Sequence, residues 1–280
     1  MKRLSILFLL PLLVCGCSKK KEEQEPLFNG RDYAAFLGRS DNDTTHFTKF
    51  DYVAFEFDEF TDSSIQRLNR KGVNTLAYLN VGSLENYRDY YDDFESYTFM
   101  TYEEWPDERW IDVSVPEWQN FVVNTLAKGF KDRQAFGVYL DNVDVYELAE
   151  TAGKDSQEFL NGLKTIIKGV SELGLKVMIN GGSMFLKYLD QTNDSLFYHI
   201  WGYHQEEVFT LITDYENDKF GLQTEYTKES YLAVAEMMKR REKEVFFLEY
   251  TVDDFLKEDI ANYCNEHKYH YYFSNNVDLK

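Results

Sequence analysis

A chain of 280 residues, 44% of them apolar, has ample material for a large core and is too apolar to be disordered. Its 30 Lys+Arg against 49 Asp+Glu give a net charge of −19, which argues against a nucleic-acid partner, since phosphate binding needs a basic face. Three cysteines are too few for a disulfide scaffold or a four-cysteine zinc module, and 17% aromatic residues suit the stacking of flat ligands or sugar rings as well as ordinary core packing.

At the amino terminus Lys2 and Arg3 precede an apolar run from Leu4 to Val14, too short to span a bilayer comfortably and laid out like a secretory h-region. It closes on Val14-Cys15-Gly16-Cys17, which resembles the lipobox of bacterial lipoprotein signals. That resemblance implies a signal peptide over residues 1–16 and a lipidated Cys17. It also implies an extracytoplasmic, lipid-anchored place in a bacterial cell envelope. Residues 17–30, with the run Ser18-Lys19-Lys20-Lys21-Glu22-Glu23, are polar and without apolar periodicity, as a tether would be. Cys264 is then the remaining thiol, and a small core residue is its ordinary role.

Residues 31–280 read as one domain. Apolar runs rich in β-branched and aromatic residues predict strands over Tyr33–Leu37, Tyr52–Phe57, Thr75–Asn80, Phe136–Asp141, Lys176–Asn180, Tyr198–Tyr203, Val245–Tyr250 and Tyr269–Ser274. Amphipathic stretches between them predict helices over Ser63–Lys71, Pro116–Lys131, Ser156–Leu173, Lys228–Lys243 and Asp253–His267. The stretch Leu84–Val113 has no usable period and is expected to pack over a rim. Eight strands alternating with helices predict an α/β fold of the (β/α)8 barrel type. An open doubly wound sheet is the alternative, weakened because no glycine-rich phosphate loop follows a strand.

Polar residues gather at one end of these strands: Asp58, Asn80, Asp141-Asn142-Val143-Asp144, Asn180-Gly181-Gly182, Gln205-Glu206-Glu207, Glu249-Tyr250 and Asn275-Asn276. In a barrel this end is the carboxyl-terminal mouth, where catalytic groups sit. No G-x-S-x-G elbow and no H-E-x-x-H motif is present. His199 and His204 lie five apart and so point to opposite faces of a strand, poor geometry for one metal. No metal or organic cofactor is expected. Two carboxylates on facing strands suit glycoside hydrolysis, one ionised and one protonated.

Tyr78-Leu79-Asn80-Val81-Gly82-Ser83-Leu84-Glu85 with Tyr87-Arg88, then Trp110-Ile111-Asp112-Val113, Gly137-Val138-Tyr139-Leu140-Asp141-Asn142-Val143-Asp144, Gln205-Glu206-Glu207-Val208-Phe209 and Leu248-Glu249-Tyr250 resemble successive motifs of the endo-α-1,4-polygalactosaminidase family. The resemblance implies a (β/α)8 glycoside hydrolase cleaving a galactosamine-containing polysaccharide. Its catalytic aspartate falls on Asp141 and its catalytic glutamate on Glu206, or on Glu207 if the alignment slips by one. Asn80 stands where the family often has serine. Asp58, Tyr78, Asn80, Trp110, Asp144, Asn180, Tyr203, Glu249 and Tyr250 are expected to bind substrate, with Trp201 a further stacking candidate. Two rivals stand beside this reading: a glycosidase of another glycan specificity, and a carbohydrate-binding lipoprotein without turnover.

Overall fold

The computed structural model describes residues 32–40, 43–103 and 105–280. The expected signal peptide, the acceptor Cys17 and the tether fall outside the described residues. In chain order come β1 (Tyr33–Phe36), β2 (Tyr52–Phe55), α1 (Asp62–Arg70) and β3 (Asn74–Asn80). An excursion follows, with β4 (Ser83–Glu85), the short α2 (Tyr91–Phe94), β5 (Thr98–Thr101) and β6 (Glu108–Ile111). Then come α3 (Pro116–Phe121), a π-helical turn (Val122–Ala127), α4 (Lys128–Asp132), β7 (Gly137–Asp141), α5 (Ser156–Glu172), β8 (Lys176–Asn180), α6 (Ser183–Gln191) and β9 (Gly202–Glu206). The hairpin β10 (Thr210–Asp214) and β11 (Lys219–Leu222), α7 (Glu225–Arg240), β12 (Glu244–Tyr250), α8 (Asp254–His267) and β13 (His270–Ser274) complete the chain.

The main sheet runs β1-β2-β3-β7-β8-β9-β12-β13, every neighbouring pair parallel. Spatial order follows chain order without reversal, which is the signature of a barrel and not of a doubly wound sheet. At the seam, the Nδ1 of His270 on β13 lies 2.6 Å from the carboxylate of Asp32 just before β1, and Phe36 meets Tyr272 edge-on at 5.6 Å. The barrel is thereby nearly closed.

Side chains alternate across each strand with a period of two. On β7, Tyr139 turns into the barrel while Val138 and Leu140 turn out under the helices. Tyr33, Ala35, Ala54, Leu76, Tyr139, Met178, Phe246 and Leu248 fill the interior. At the amino-terminal end of the strands Tyr52, Trp201, Phe246 and His270 pack ring on ring as a floor. These rings fill that end of the barrel, and the mouth is where the interior opens.

Two expectations need correction. The sixth strand is not Tyr198–Tyr203 but Gly202–Glu206. Asp194 caps a 3-10 turn over Ser195–His199 by accepting from the Leu196 amide at 2.9 Å, so the apolar run before Gly202 covers a turn, and Tyr198 is 89% exposed. The helix expected over Pro116–Lys131 is continuous from Pro116 to Asp132, with a π-helical turn inside it. The stretch expected only to cover the rim contains an antiparallel sheet, β4-β6-β5, standing at the mouth.

Candidate active site

Asp141 ends β7, Asn180 ends β8 and Glu206 ends β9, so three adjacent strands deliver three side chains at one height. Asn180 joins the two acids: its Nδ2 donates to Asp141 Oδ1 at 2.9 Å and to Glu206 Oε1 at 3.0 Å. Asp141 also accepts from the Tyr78 hydroxyl at 2.9 Å and from the Asn142 backbone amide at 2.9 Å. That amide points back because Asn142 adopts a left-handed conformation, φ 60°. Glu206 accepts from the Tyr250 hydroxyl at 2.6 Å and the Tyr139 hydroxyl at 3.1 Å. All these residues sit at inward positions of their strands.

Burial raises both carboxyls above their ordinary pKa values, and the hydrogen bonds oppose it. Asn180 and Tyr78 act most strongly on Asp141, and Tyr250 on Glu206, whose proton is also held by the charge of Asp141. The donors differ in kind. A hydroxyl can turn and accept, so Tyr250 tolerates a proton on Glu206, whereas the Asn142 backbone amide only donates and favours an ionised Asp141.

The acids open into a cavity of about 560 Å³. The excursion sheet and its loops supply Glu85, Tyr87, Tyr102, Trp105, Asp107 and Glu108 to its wall, and the β10–β11 hairpin supplies Ile212 and Tyr215. Trp105 and Tyr215 meet edge-on at 6.0 Å across the rim. Burial pushes the Glu108 carboxyl up to about 7, although Ser83 and Asn80 donate to it. Arg88 binds Glu85 at 2.6 Å and Glu56 at 2.7 Å behind the wall.

Of the residues expected to bind substrate, Tyr78, Asn180 and Tyr250 line this cavity. The others are placed elsewhere. Asp58 lies on the surface near Arg88 and Arg133, at 3.8 and 3.5 Å. Asn80 is buried behind the wall, joined to Ser83, Glu108 and Asn142. Trp110 is buried and stacks at 4.5 Å beneath Tyr102, which takes the cavity position instead. Trp201 belongs to the barrel floor. Tyr203 points outward and donates to Gln205 at 2.7 Å. Asp144 accepts from the Gly182 amide at 2.9 Å, and a Cβ on Gly181, at φ +63°, would run into its carboxylate. The glycine pair thus makes room for Asp144.

Glu249 faces outward from β12, fully buried, and accepts from the amides of Val208, Phe209 and Thr210 and from the Thr210 hydroxyl. Glu207, the alternative to Glu206, reaches the cavity edge but accepts from the Ile212 amide. His204 is wholly buried inside the barrel, while His199 lies near Ser171 outside it. Among the described residues no group of His, Cys, Asp and Glu is set to hold a metal ion. Sequence reasoning placed Tyr139 on the inward face with Asp141 but did not single out His204, which touches Asn180 and Tyr139; counting back by two from Glu206 identifies it.

A parallel barrel with paired carboxylates at its carboxyl-terminal mouth, inside an aromatic-walled cavity, defines a glycoside hydrolase. Residues 18–275 match glycoside-hydrolase family GH114, and the chain belongs to that family. Its fold is similar to the glycoside hydrolase domain of PelA from Pseudomonas aeruginosa, with a TM-score of 0.73 and 15% identity over 89% of this chain and 95% of that one. It is also similar to Ega3 from Aspergillus fumigatus, solved in complex with galactosamine, with a TM-score of 0.71 and 16% identity over 92% and 95%. No curated protein matches the sequence.

Proposed function

We propose that this glycoside hydrolase cleaves an α-linked, galactosamine-containing polysaccharide by double displacement, with Asp141 as nucleophile and Glu206 as acid/base. The observation that carries the reading is Asn180 donating to both acids. A nitrogen 2.9 Å from one carboxylate oxygen and 3.0 Å from the other leaves those oxygens at most about 6 Å apart, nearer the ~5–5.5 Å of retaining enzymes than the wider gap of inverting ones. Glu206 gives its proton to the leaving glycosidic oxygen while Asp141 attacks the anomeric carbon and forms a glycosyl ester. Glu206, now ionised, takes a proton from water as that water displaces Asp141 and restores the starting state.

Glu56, Glu85, Asp107, Glu108, Glu207 and Asp278 line the same cavity, and among its described lining residues Lys280 is the one cation. Such a wall favours a sugar carrying a free ammonium group over a neutral or anionic one. That Ega3 was solved with galactosamine points the same way. Turnover needs Asp141 ionised and Glu206 protonated. Because burial lifts both pKa values, the active window sits above the ordinary carboxylate range.

The test is incubation of the protein and its Asp141→Asn variant with a partly deacetylated α-1,4-linked galactosamine polymer, reading oligomers by mass spectrometry and the first-formed anomer by proton NMR. Oligomers from the native protein alone, α-anomer first, are expected. β-anomer first would overturn double displacement, cleavage confined to other glycans would overturn the substrate, and retention of polymer without cleavage would favour the binding lipoprotein. Lipid anchoring at Cys17, and with it an extracytoplasmic envelope location, is the second part of the proposal. It rests on the lipobox-like Val14-Cys15-Gly16-Cys17, and metabolic palmitate labelling that persists in Cys17→Ala would refute it.

A further inference from the structure

We propose that His204 is a positioning residue that fixes the Asn180 amide between the two catalytic acids. His204 lies opposite Asn180 in the β8–β9 register, two residues before Glu206, and is wholly buried. Its Nδ1 is 2.8 Å from Asn180 Oδ1 and 3.0 Å from the Tyr139 hydroxyl. The direction of every bond follows from one fact. Asn180 Nδ2 stands within hydrogen-bond distance of two carboxylate oxygens, so the amino end must face them, since a reversed amide would set its oxygen against both acids.

Asn180 Oδ1 therefore faces His204 and needs a donor, which only a protonated Nδ1 supplies. Nε2 has no hydrogen-bond partner among the described residues, so the tautomer that leaves it bare strands a lone pair and not an N–H. The same Nδ1–H lies near the Tyr139 oxygen, leaving the Tyr139 hydroxyl to donate to Glu206. One imidazole proton thus orders two groups on Glu206 and one on Asp141. The other titratable group against the ring is Tyr33 on β1, at 5.5 Å. Burial holds the imidazole neutral, with its pKa down to about 3.

The inference rests on the two-carboxylate reading for its consequence but not for its test. Ring nitrogen-15 spectra of the native protein, with His204 assigned by comparison with His204→Asn, are expected to show a neutral Nδ1-protonated ring throughout pH 5–8. An Nε2-protonated ring, or one that titrates in that range, overturns the assignment even if the protein cleaves nothing. Kinetically, His204→Leu should lower kcat by roughly 10- to 100-fold with little change in KM. Both limbs of its pH profile should move upward, because Asn180 lowers the pKa of both acids and is no longer held. His204→Asn, which puts an amide nitrogen near the Nδ1 position, should restore the limbs. Loss of activity with unmoved limbs would mean a merely structural histidine, and if His204→Leu fails to fold, the tautomer and the Asn variant still decide. No cleavage by the native protein on any glycan would sink the hydrolase reading alone.

Discussion

Glu206 and Glu249 are two glutamates at the mouth ends of neighbouring strands, the first partly and the second fully buried, and they face opposite ways. Glu206 faces the barrel axis, keeps part of its carboxylate open to the cavity, and is held chiefly by two tyrosine hydroxyls, of which that of Tyr250 can reverse. Glu249 faces the shell of helices and is enclosed by backbone amides and one hydroxyl of the loop leading into β10. Residue type and height along the barrel are alike. Parity along the strand and the nature of the donors separate the proposed acid/base from a loop staple.

The sharpest way to break this contrast is at the inward acids. Glu206→Gln keeps shape and removes the proton, so cleavage should fall on the order of 10²- to 10⁴-fold while the thermal midpoint stays near the native one. Asp141→Asn should fall at least as far. Native-like turnover in either would reassign the chemistry, with Glu207 the next candidate.

On the outward side, Glu249→Ala leaves the Val208, Phe209 and Thr210 donors unmatched and should cost about 3 kcal/mol or more of stability, lowering Tm by several degrees. Turnover by the folded fraction should persist. Calorimetry beside an assay of the same preparation separates the two effects. A native Tm with lost cleavage would put Glu249 in the site after all.

Tyr250 sharpens the contrast further, because it is the neighbour of Glu249 on the same strand and faces the other way. Its hydroxyl favours the ionised form of Glu206, so Tyr250→Phe lets Glu206 hold its proton to higher pH. The alkaline limb of the pH profile should move upward and kcat should drop roughly tenfold. An alkaline limb that stays put would mean that Glu206 is not the proton donor.

The same parity explains how much could be read beforehand. The barrel was legible because strands buried on both faces are unbroken apolar runs, and helices between them keep a 3.6-residue period. Asp141, Asn180 and Tyr250 were legible as polar or aromatic residues ending such runs, and Glu206 as one of three polar residues following one, singled out by the family resemblance. A strand end gives height, however, and not side, which is why Asp58, Tyr203 and Glu249 were drawn toward the substrate when the structure turns them away. The cavity wall was not legible. β4, β5 and β6 are three or four residues each, too short for a period to emerge, and Trp105 and Tyr215 come from turns with no pattern at all. His204 was hidden differently, since it looks like an ordinary core residue until its alternation with Glu206 is counted, as that of Tyr139 with Asp141 could be.

Asp144 offers the smallest and most selective test, because it is an acid at the mouth end that the contrast assigns to the scaffold. Burial, helped by the charges of Glu147 and Asp141, lifts its carboxyl from 3.8 to about 7, and the Gly182 amide only partly opposes this. Between those two values the folded protein holds a proton that the unfolded chain has released. The stability Asp144 contributes is therefore full below the unfolded value and lost as pH rises through about 7. Asp144→Asn keeps an oxygen for the Gly182 amide and cannot titrate. The margin by which the variant melts above the native protein should widen as pH rises from 5 to about 7 and then level off, with cleavage little changed. Parallel melting curves across that range would show that Asp144 is ionised throughout. Coupled with a raised KM, they would return it to the substrate side of the barrel.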